Sequence, residues 1–362
     1  MRWFLIFVMG MGLFFGETAG AEPIESAQLP DLTAALKIPA GQNFCGEPVP
    51  MNVPDVRERF ERELLLTLWN RPQVLLWLKR SGRYMPHIEK LLKENGLPDD
   101  LKYVAIAESS LRPHAGSSRG AIGFWQFVRP TGRRYDLTIN DRIDERRNLF
   151  ASTGAAIRYF KDLHQELGSW TLAAAAYNMG EKGLLSEILA QDSMNYYELY
   201  LPLETQHFLF RILAIKLIFS DPRKYGFNLS GNDRYPILSF DRVTLQCDRE
   251  TPVMLVARAA KTRFKVIKDL NPEIRGHYLA KGAHQLLIPK GSLKGFKKRF
   301  GELRNAYAKD HKGRIYVVQR GDNLSTIARR YNVPVNALLI WNRISPRDPI
   351  HPGQKLIVHP GD

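Results

Sequence analysis

A chain of 362 residues with 44% hydrophobic and 25% charged side chains is too long for one small domain, so two or three compact units are expected. The same balance excludes disordered and fibrous classes. The net charge of +15 points to an anionic partner, and nucleic acid, cell-wall polymer and a membrane surface all qualify by charge alone.

Arg2 precedes an apolar run from Trp3 to Phe15, and Ala19-Gly20-Ala21 supplies small residues where a signal peptidase reads. The run is short for a bilayer span of about 20 residues, so residues 1–21 are expected to be a cleaved signal peptide, with an uncleaved anchor as the alternative. Export places the chain in the periplasm or cell envelope. It argues against nucleic acid and favours an anionic wall or peripheral association with an envelope membrane. Residues 22–54 carry several prolines and read as irregular. Cys45 and Cys247 can pair in an exported chain, or remain two free thiols.

From Asp55 to Leu92, Phe60, Leu64, Leu68, Val74, Leu75 and Leu78 recur at three- and four-residue steps, a helical pattern. Gly96-Leu97-Pro98 breaks it, and Asp99 or Asp100 can cap the next helix. Helices are expected over Asn148–Leu167, stopped by Gly168, over the Ala-rich Thr171–Asn178, and over Thr205–Ser220, stopped by Asp221-Pro222. Residues 55–228 thus form one mostly helical unit with its own core. Residues 237–290 and 314–359 each read as β, helix, helix, β, an internal repeat joined by a basic stretch at 291–313 that reads as a charged linker or an exposed helix. The fold class is α+β.

In the helix opened by Asp99, Leu101, Val104 and Ala105 mark the core stripe, and the next position on it is Glu108. Burial disfavours the charged form of a carboxylate and raises its pKa, as a general acid near neutral pH requires. Taken alone, a structural Glu bonding backbone groups is the commoner outcome. Pro113 puts Glu108 near its helix end, where a cleft can open. Gly120 and Gly123 flank Ala121-Ile122 and precede Phe124-Trp125-Gln126. Glycines let backbone approach a ligand, and an aromatic beside an amide suits a sugar, although a tight turn with a core Trp is the plainer alternative.

Glu108-Ser109-Ser110, Ser117, Gly120-Ala121-Ile122-Gly123-Phe124-Trp125-Gln126, Thr131-Gly132, Asp144-Glu145-Arg146-Arg147-Asn148 and Ala176-Tyr177-Asn178-Met179-Gly180 together resemble the soluble lytic transglycosylase domain, nearest the membrane-bound lytic murein transglycosylase D group. The likeness spans about Gly82 to Phe227. It implies a goose-lysozyme-like catalytic fold acting on peptidoglycan glycan strands. Glu108 would protonate the oxygen between N-acetylmuramic acid and N-acetylglucosamine. It would then deprotonate the muramoyl C6 hydroxyl, giving a 1,6-anhydro product. Tyr177 would orient that carboxyl, while Ser117, Gln126 and Asn178 would contact sugar or shape the cleft. Asp136, Met179 and Lys182 depart from the group's usual residues, which bears on cleft shape. The common two-carboxylate scheme needs a second acid; none inside the motifs obviously plays nucleophile or base, although Glu181, Asp136 or another acid can still fold into the cleft.

Gly321-Asp322-Asn323-Leu324-Ser325 and Pro352-Gly353-Gln354-Lys355-Leu356 resemble LysM modules, with 237–290 a degenerate copy. That likeness implies binding of N-acetylglucosamine-containing glycan by the loops Gly321–Ser325 and Asn342–Pro346. The scattered histidines, the absence of a nucleotide-type Gly loop and the absence of Gly-x-Ser-x-Gly predict no metal, no cofactor and no serine nucleophile. A hydrolytic muramidase, a chitin-directed enzyme and a non-catalytic wall-binding scaffold are the competing readings.

Overall fold

The computed structural model describes Thr33, residues 36–310 and residues 314–359. The expected signal peptide at 1–21 lies outside these residues. Within the stretch read as irregular, Asn43–Phe44 (β1) and Glu47–Pro48 (β2) form a short antiparallel hairpin around Cys45 and Gly46, both at positive φ. Its Glu47 carboxylate accepts from the backbone N–H of Trp170 and Thr171 and from the Ser169 hydroxyl, satisfying orphan donors at a helix start.

The helical stretch read from Asp55 to Leu92 comprises two helices, Pro54–Trp69 (α1) and Arg71–Glu94 (α2). They part at Asn70, because Pro72 has no N–H for the ladder and suits only a first helical turn. Lys102–Ser109 (α3) and Arg129–Arg134 (α4) are short. Leu149–Leu167 (α5) begins on the Asn148 side chain, which accepts from the N–H groups of Phe150 and Ala151, and stops at left-handed Gly168. Trp170–Met179 (α6), Glu181–Gln191 (α7) and Leu203–Ser220 (α8) complete the helical unit. Ala173 to Ala176 of α6 and Phe208 to Ala214 of α8 supply much of its buried centre.

The second unit opens with Phe240–Cys247 (β3), then Thr251–Pro252 (β4), Val253–Ala259 (α9), Phe264–Leu270 (α10), Tyr278–Leu279 (β5) and Gly282–Pro289 (β6). β3 and β6 pair antiparallel along their whole length. Most of the basic stretch 291–313 is the helix Phe296–Asp310 (α11), the second of the two expectations. Phe296 and Phe300 are buried in the second core. In the third unit Arg314–Val317 (β7) and Lys355–His359 (β8) pair antiparallel and pack on Leu324–Arg330 (α12) and Val335–Asn342 (α13). Each of the three units has its own apolar core, and the α+β reading holds.

Cys45 and Cys247 are both free. Cys45 packs against the first core and Cys247 is buried in the second, so the contemplated bridge is absent. Among the described residues no helix is long and apolar enough to cross a membrane.

Candidate active site

Leu101, Val104 and Ala105 are fully buried, and α3 ends one residue after Glu108. Ser110 and Leu111 both follow in the left-handed region, a sharp exit that L residues adopt only when held. The holding groups are the Gln73 amide on the Ser110 hydroxyl (2.7 Å), the Arg80 guanidinium on the Ser110 carbonyl (3.2 Å) and Arg112 on the Ser109 carbonyl (3.1 Å). They leave the Glu108 side chain at the wall of a cleft.

That cleft, about 390 Å³, is lined by Glu108, Ser117, Arg119, Gln126, Tyr177 and Asn178, with Thr131, Tyr159 and Met179 among the others. All five catalytic-unit residues singled out from the sequence therefore meet in one place. Glu108 is the single carboxyl in the lining. Glu181 faces elsewhere in a two-pronged bond with Arg134 (2.6 and 2.7 Å), and Asp136 is exposed beside Arg158. Asp136 sits at φ +64°, which explains why glycine suits that position.

Burial pushes the Glu108 carboxyl up to about 8, with Arg211 drawing it down and Glu204 pushing it up. Both of those residues line a second hollow of about 460 Å³ with Glu63, Gln73, Trp77 and His207. The carboxyl group is half-buried, and its burial favours the neutral, protonated form.

Tyr177 lines the cleft together with Glu108. Its hydroxyl donates to the Trp125 carbonyl (2.6 Å), and its ring stacks on Phe160 with centroids 4.6 Å apart. Burial first, then the Glu108 charge, raises its pKa well above the ordinary phenol value. With its one proton committed to Trp125, the Tyr177 oxygen can face a protonated carboxyl only as an acceptor. Asn178 is anchored through Oδ1, which accepts from the Thr205 hydroxyl (2.8 Å). Gln126, at φ +48°, spends its amide on the carbonyls of Ala115 (3.2 Å) and Gly123 (2.9 Å), and the Ser117 hydroxyl accepts from Ala121 N–H (3.1 Å). These last two build the loop as much as they line it. Trp125 is no sugar platform, because it is fully buried and its indole N–H donates to Thr153 (3.0 Å).

The loop is clasped from behind. Buried Arg146 bonds buried Asp144 through two N–H groups (2.8 Å each) and donates to the carbonyls of Gly120 (3.0 Å) and Phe127 (3.1 Å). Gly123, at φ +87°, lies against the Arg146 backbone, and a Cβ there would fall 1.7 Å from the Arg146 carbonyl oxygen. Gly123→Ala is therefore expected to cost roughly 2–5 kcal/mol, readable as a lowered urea midpoint at unchanged slope, with the cleft loop lost first. Arg119 and Tyr159 were not singled out beforehand. Arg119 adjoins the Gly120 motif, whereas Tyr159 reads as an ordinary core position of α5 and carries no local signal.

In the third unit the Asp322 carboxylate accepts from the Tyr316 hydroxyl (2.6 Å) and from Gln319 N–H (2.8 Å). The Asn323 side chain caps α12, and Leu324 packs on the core, leaving Gly321 and Ser325 exposed. Arg343, in the other expected binding loop, pairs with Glu250 and lies over the Tyr278 ring of the second unit.

A family model described as the Transglycosylase SLT domain matches residues 85–199, and one described as the LysM domain matches 316–359. Membrane-bound lytic murein transglycosylase D of Escherichia coli (strain K12) is 30% identical over 332 residues, covering 88% of this chain and 72% of that protein. The chain belongs to the membrane-bound lytic murein transglycosylase D family. The protein of that name from the O6:H1 strain of the same species matches with the same identity and coverage. Membership carries the enzyme class, lytic transglycosylase, with it. Among solved structures, the 70 kDa soluble lytic transglycosylase of Escherichia coli overlays 48% of this chain and 32% of its own at a TM-score of 0.35 and 15% identity.

Proposed function

We propose that this family member cleaves the β-1,4 bond between N-acetylmuramic acid and N-acetylglucosamine in peptidoglycan, forming 1,6-anhydro-muramic acid. The observation that carries this reading is a lone carboxyl in the cleft lining, held near pKa 8. A protonated Glu108 donates to the departing glycosidic oxygen and becomes a carboxylate. It then takes the proton from the muramoyl C6 hydroxyl as that oxygen closes on C1, which restores the acid and consumes no water. One group serving twice needs no partner across the bond, unlike the two-carboxylate schemes.

Tyr177 steadies the protonated carboxyl, Asn178 offers its amide N–H groups to sugar, and Ser117 and Gln126 keep the loop in the shape that receives the strand. Residues 55–228 are the catalytic domain and 237–290 a degenerate LysM-like module. The module at 314–359 adds a grip on N-acetylglucosamine-containing glycan through exposed Gly321 and Ser325 and the loop from Asn342 to Pro346. Asp322, Asn323 and Leu324 set that loop's conformation. Residues 1–21 direct export to the periplasm, where the basic surface meets anionic wall or membrane.

The test is borohydride reduction of products released from purified peptidoglycan. Anhydro ends resist reduction, whereas a muramidase leaves ends that are reduced. The acid step also sets a pH dependence. Glu108 is protonated below about 8, so kcat/KM is expected to be level on that side and to fall about tenfold per pH unit above it. A profile flat through pH 9 would remove Glu108 from the acid role.

A further inference from the structure

The second and third units are built alike down to single hydrogen bonds. Asn271, after α10, donates to the carbonyls of Ile267 and Leu287 and accepts from Leu287 N–H. Asn342, the last residue of α13, does the same with Leu338 and Ile357. Buried Val256, Ala257 and Ile267 answer to buried Ile327, Ala328 and Leu338. The loops Glu250–Met254 and Asn271–Arg275 of the second unit therefore correspond to Gly321–Ser325 and Asn342–Pro346 of the third.

In the second unit this loop pair is occupied by the chain itself. Residues 138–145 of the catalytic unit form a small hairpin, with Ile139 bridged to Asp144 and the Asn140 side chain accepting from the N–H groups of Arg142 and Ile143. Its tip pairs antiparallel with the second loop. Asp144 N–H donates to the Glu273 carbonyl (2.9 Å), Arg275 N–H donates to the Arg142 carbonyl (2.9 Å), and Ile143 stands opposite Ile274. The Ile143 side chain packs against the second core, and Arg142 reaches Glu250 of the first loop at 2.9 Å. The last residue of the tip is Asp144, which holds Arg146, and Arg146 holds both ends of the cleft loop at Gly120 and Phe127.

We propose that the loop pair of the second unit is filled in cis by the hairpin tip Arg142–Asp144, so that this unit is a brace that positions the cleft loop through Arg146 and not a glycan-gripping module. Two repeats of one fold have thus divided the work, one gripping wall and one fixing the active site. The division of labour rests on the function proposed above, but the bracing itself does not.

The test uses the full chain carrying Ile143→Asp, which puts a charge where an apolar side chain meets the second core, with Ile143→Leu as the conservative control. Ile143 lines no part of the cleft. The first readout is amide hydrogen exchange over residues 115–128, which needs no activity and stays readable if the proposed chemistry is wrong. Exchange there is expected to accelerate roughly tenfold or more along with that of residues 140–144, because the clasp is no longer fixed at its far end. The second readout is turnover on purified wall, expected to lose about tenfold or more in kcat while co-sedimentation with wall is unchanged, since reacting groups misplaced by an ångström lose rate before affinity. Ile143→Leu is expected to restore both. Faster exchange at 140–144 with residues 115–128 unchanged would overturn the brace, as would a loss of wall co-sedimentation with kcat intact. If the Asp variant does not fold, Ile143→Ala is read on the same two scales.

Discussion

Glu108→Gln is expected to abolish wall lysis, with a fall of about 10²–10⁴-fold or more in kcat, while leaving the fold in place. The amide matches the carboxyl in shape and still fits the half-buried position at the end of α3, but it can neither give nor take the proton. The same variant carries a stability signature that separates a buried acid from a passive one. The folded-state pKa is raised above the unfolded value, from 4.5 to about 8. Folding therefore binds a proton, and the wild type loses stability as pH rises from about 4.5 until it passes about 8. Glutamine has no such cost. Glu108→Gln should unfold at higher temperature than the wild type at pH 8, with a difference on the order of a few kcal/mol, and at the same temperature near pH 4. Equal melting at both pH values would mean that the carboxyl is well solvated, and normal lysis would end its catalytic assignment.

Arg146→Ala is expected to cost about 3–5 kcal/mol, the penalty for leaving one member of a buried ion pair behind. It strands the Asp144 carboxylate, which is buried with it, and frees the carbonyls of Gly120 and Phe127. Burial works against the Asp144 charge, but hydrogen bonds from Arg146 and its positive charge outweigh it and hold the carboxyl below its ordinary value of 3.8. The pair's stabilisation is thus present above that value and is lost as pH falls through the lower folded one. Arg146→Lys keeps the charge but not the fork that reaches two oxygens and two carbonyls, so it should fall between wild type and Ala. Urea titration gives the stability order, and turnover on purified wall should follow the same order, because the cleft loop hangs on this side chain. An alanine variant with wild-type midpoint and turnover would show that the loop is held by its own backbone web.

Much of this site was legible because its signals are local. The i, i+3, i+4 stripe through Leu101, Val104 and Ala105 aims the next stripe position, Glu108, inward, and the end of α3 is written in the residues that follow. The repeated βααβ texture was likewise visible as alternation and helical period. What was misread depended on distant partners. Trp125 looks like a sugar platform until Thr153 takes its indole N–H. The hairpin tip against Ile274 left no trace, since a bridge between positions 143 and 274 has no periodicity to betray it.

The most direct test of the chemistry is mass spectrometry of muropeptides released from purified peptidoglycan by residues 22–362 in water enriched in heavy oxygen. A carboxyl that recruits the substrate's own C6 hydroxyl predicts products one water lighter than reducing-end muropeptides and free of the label. Reducing-end products carrying one heavy oxygen would contradict it and make water the nucleophile.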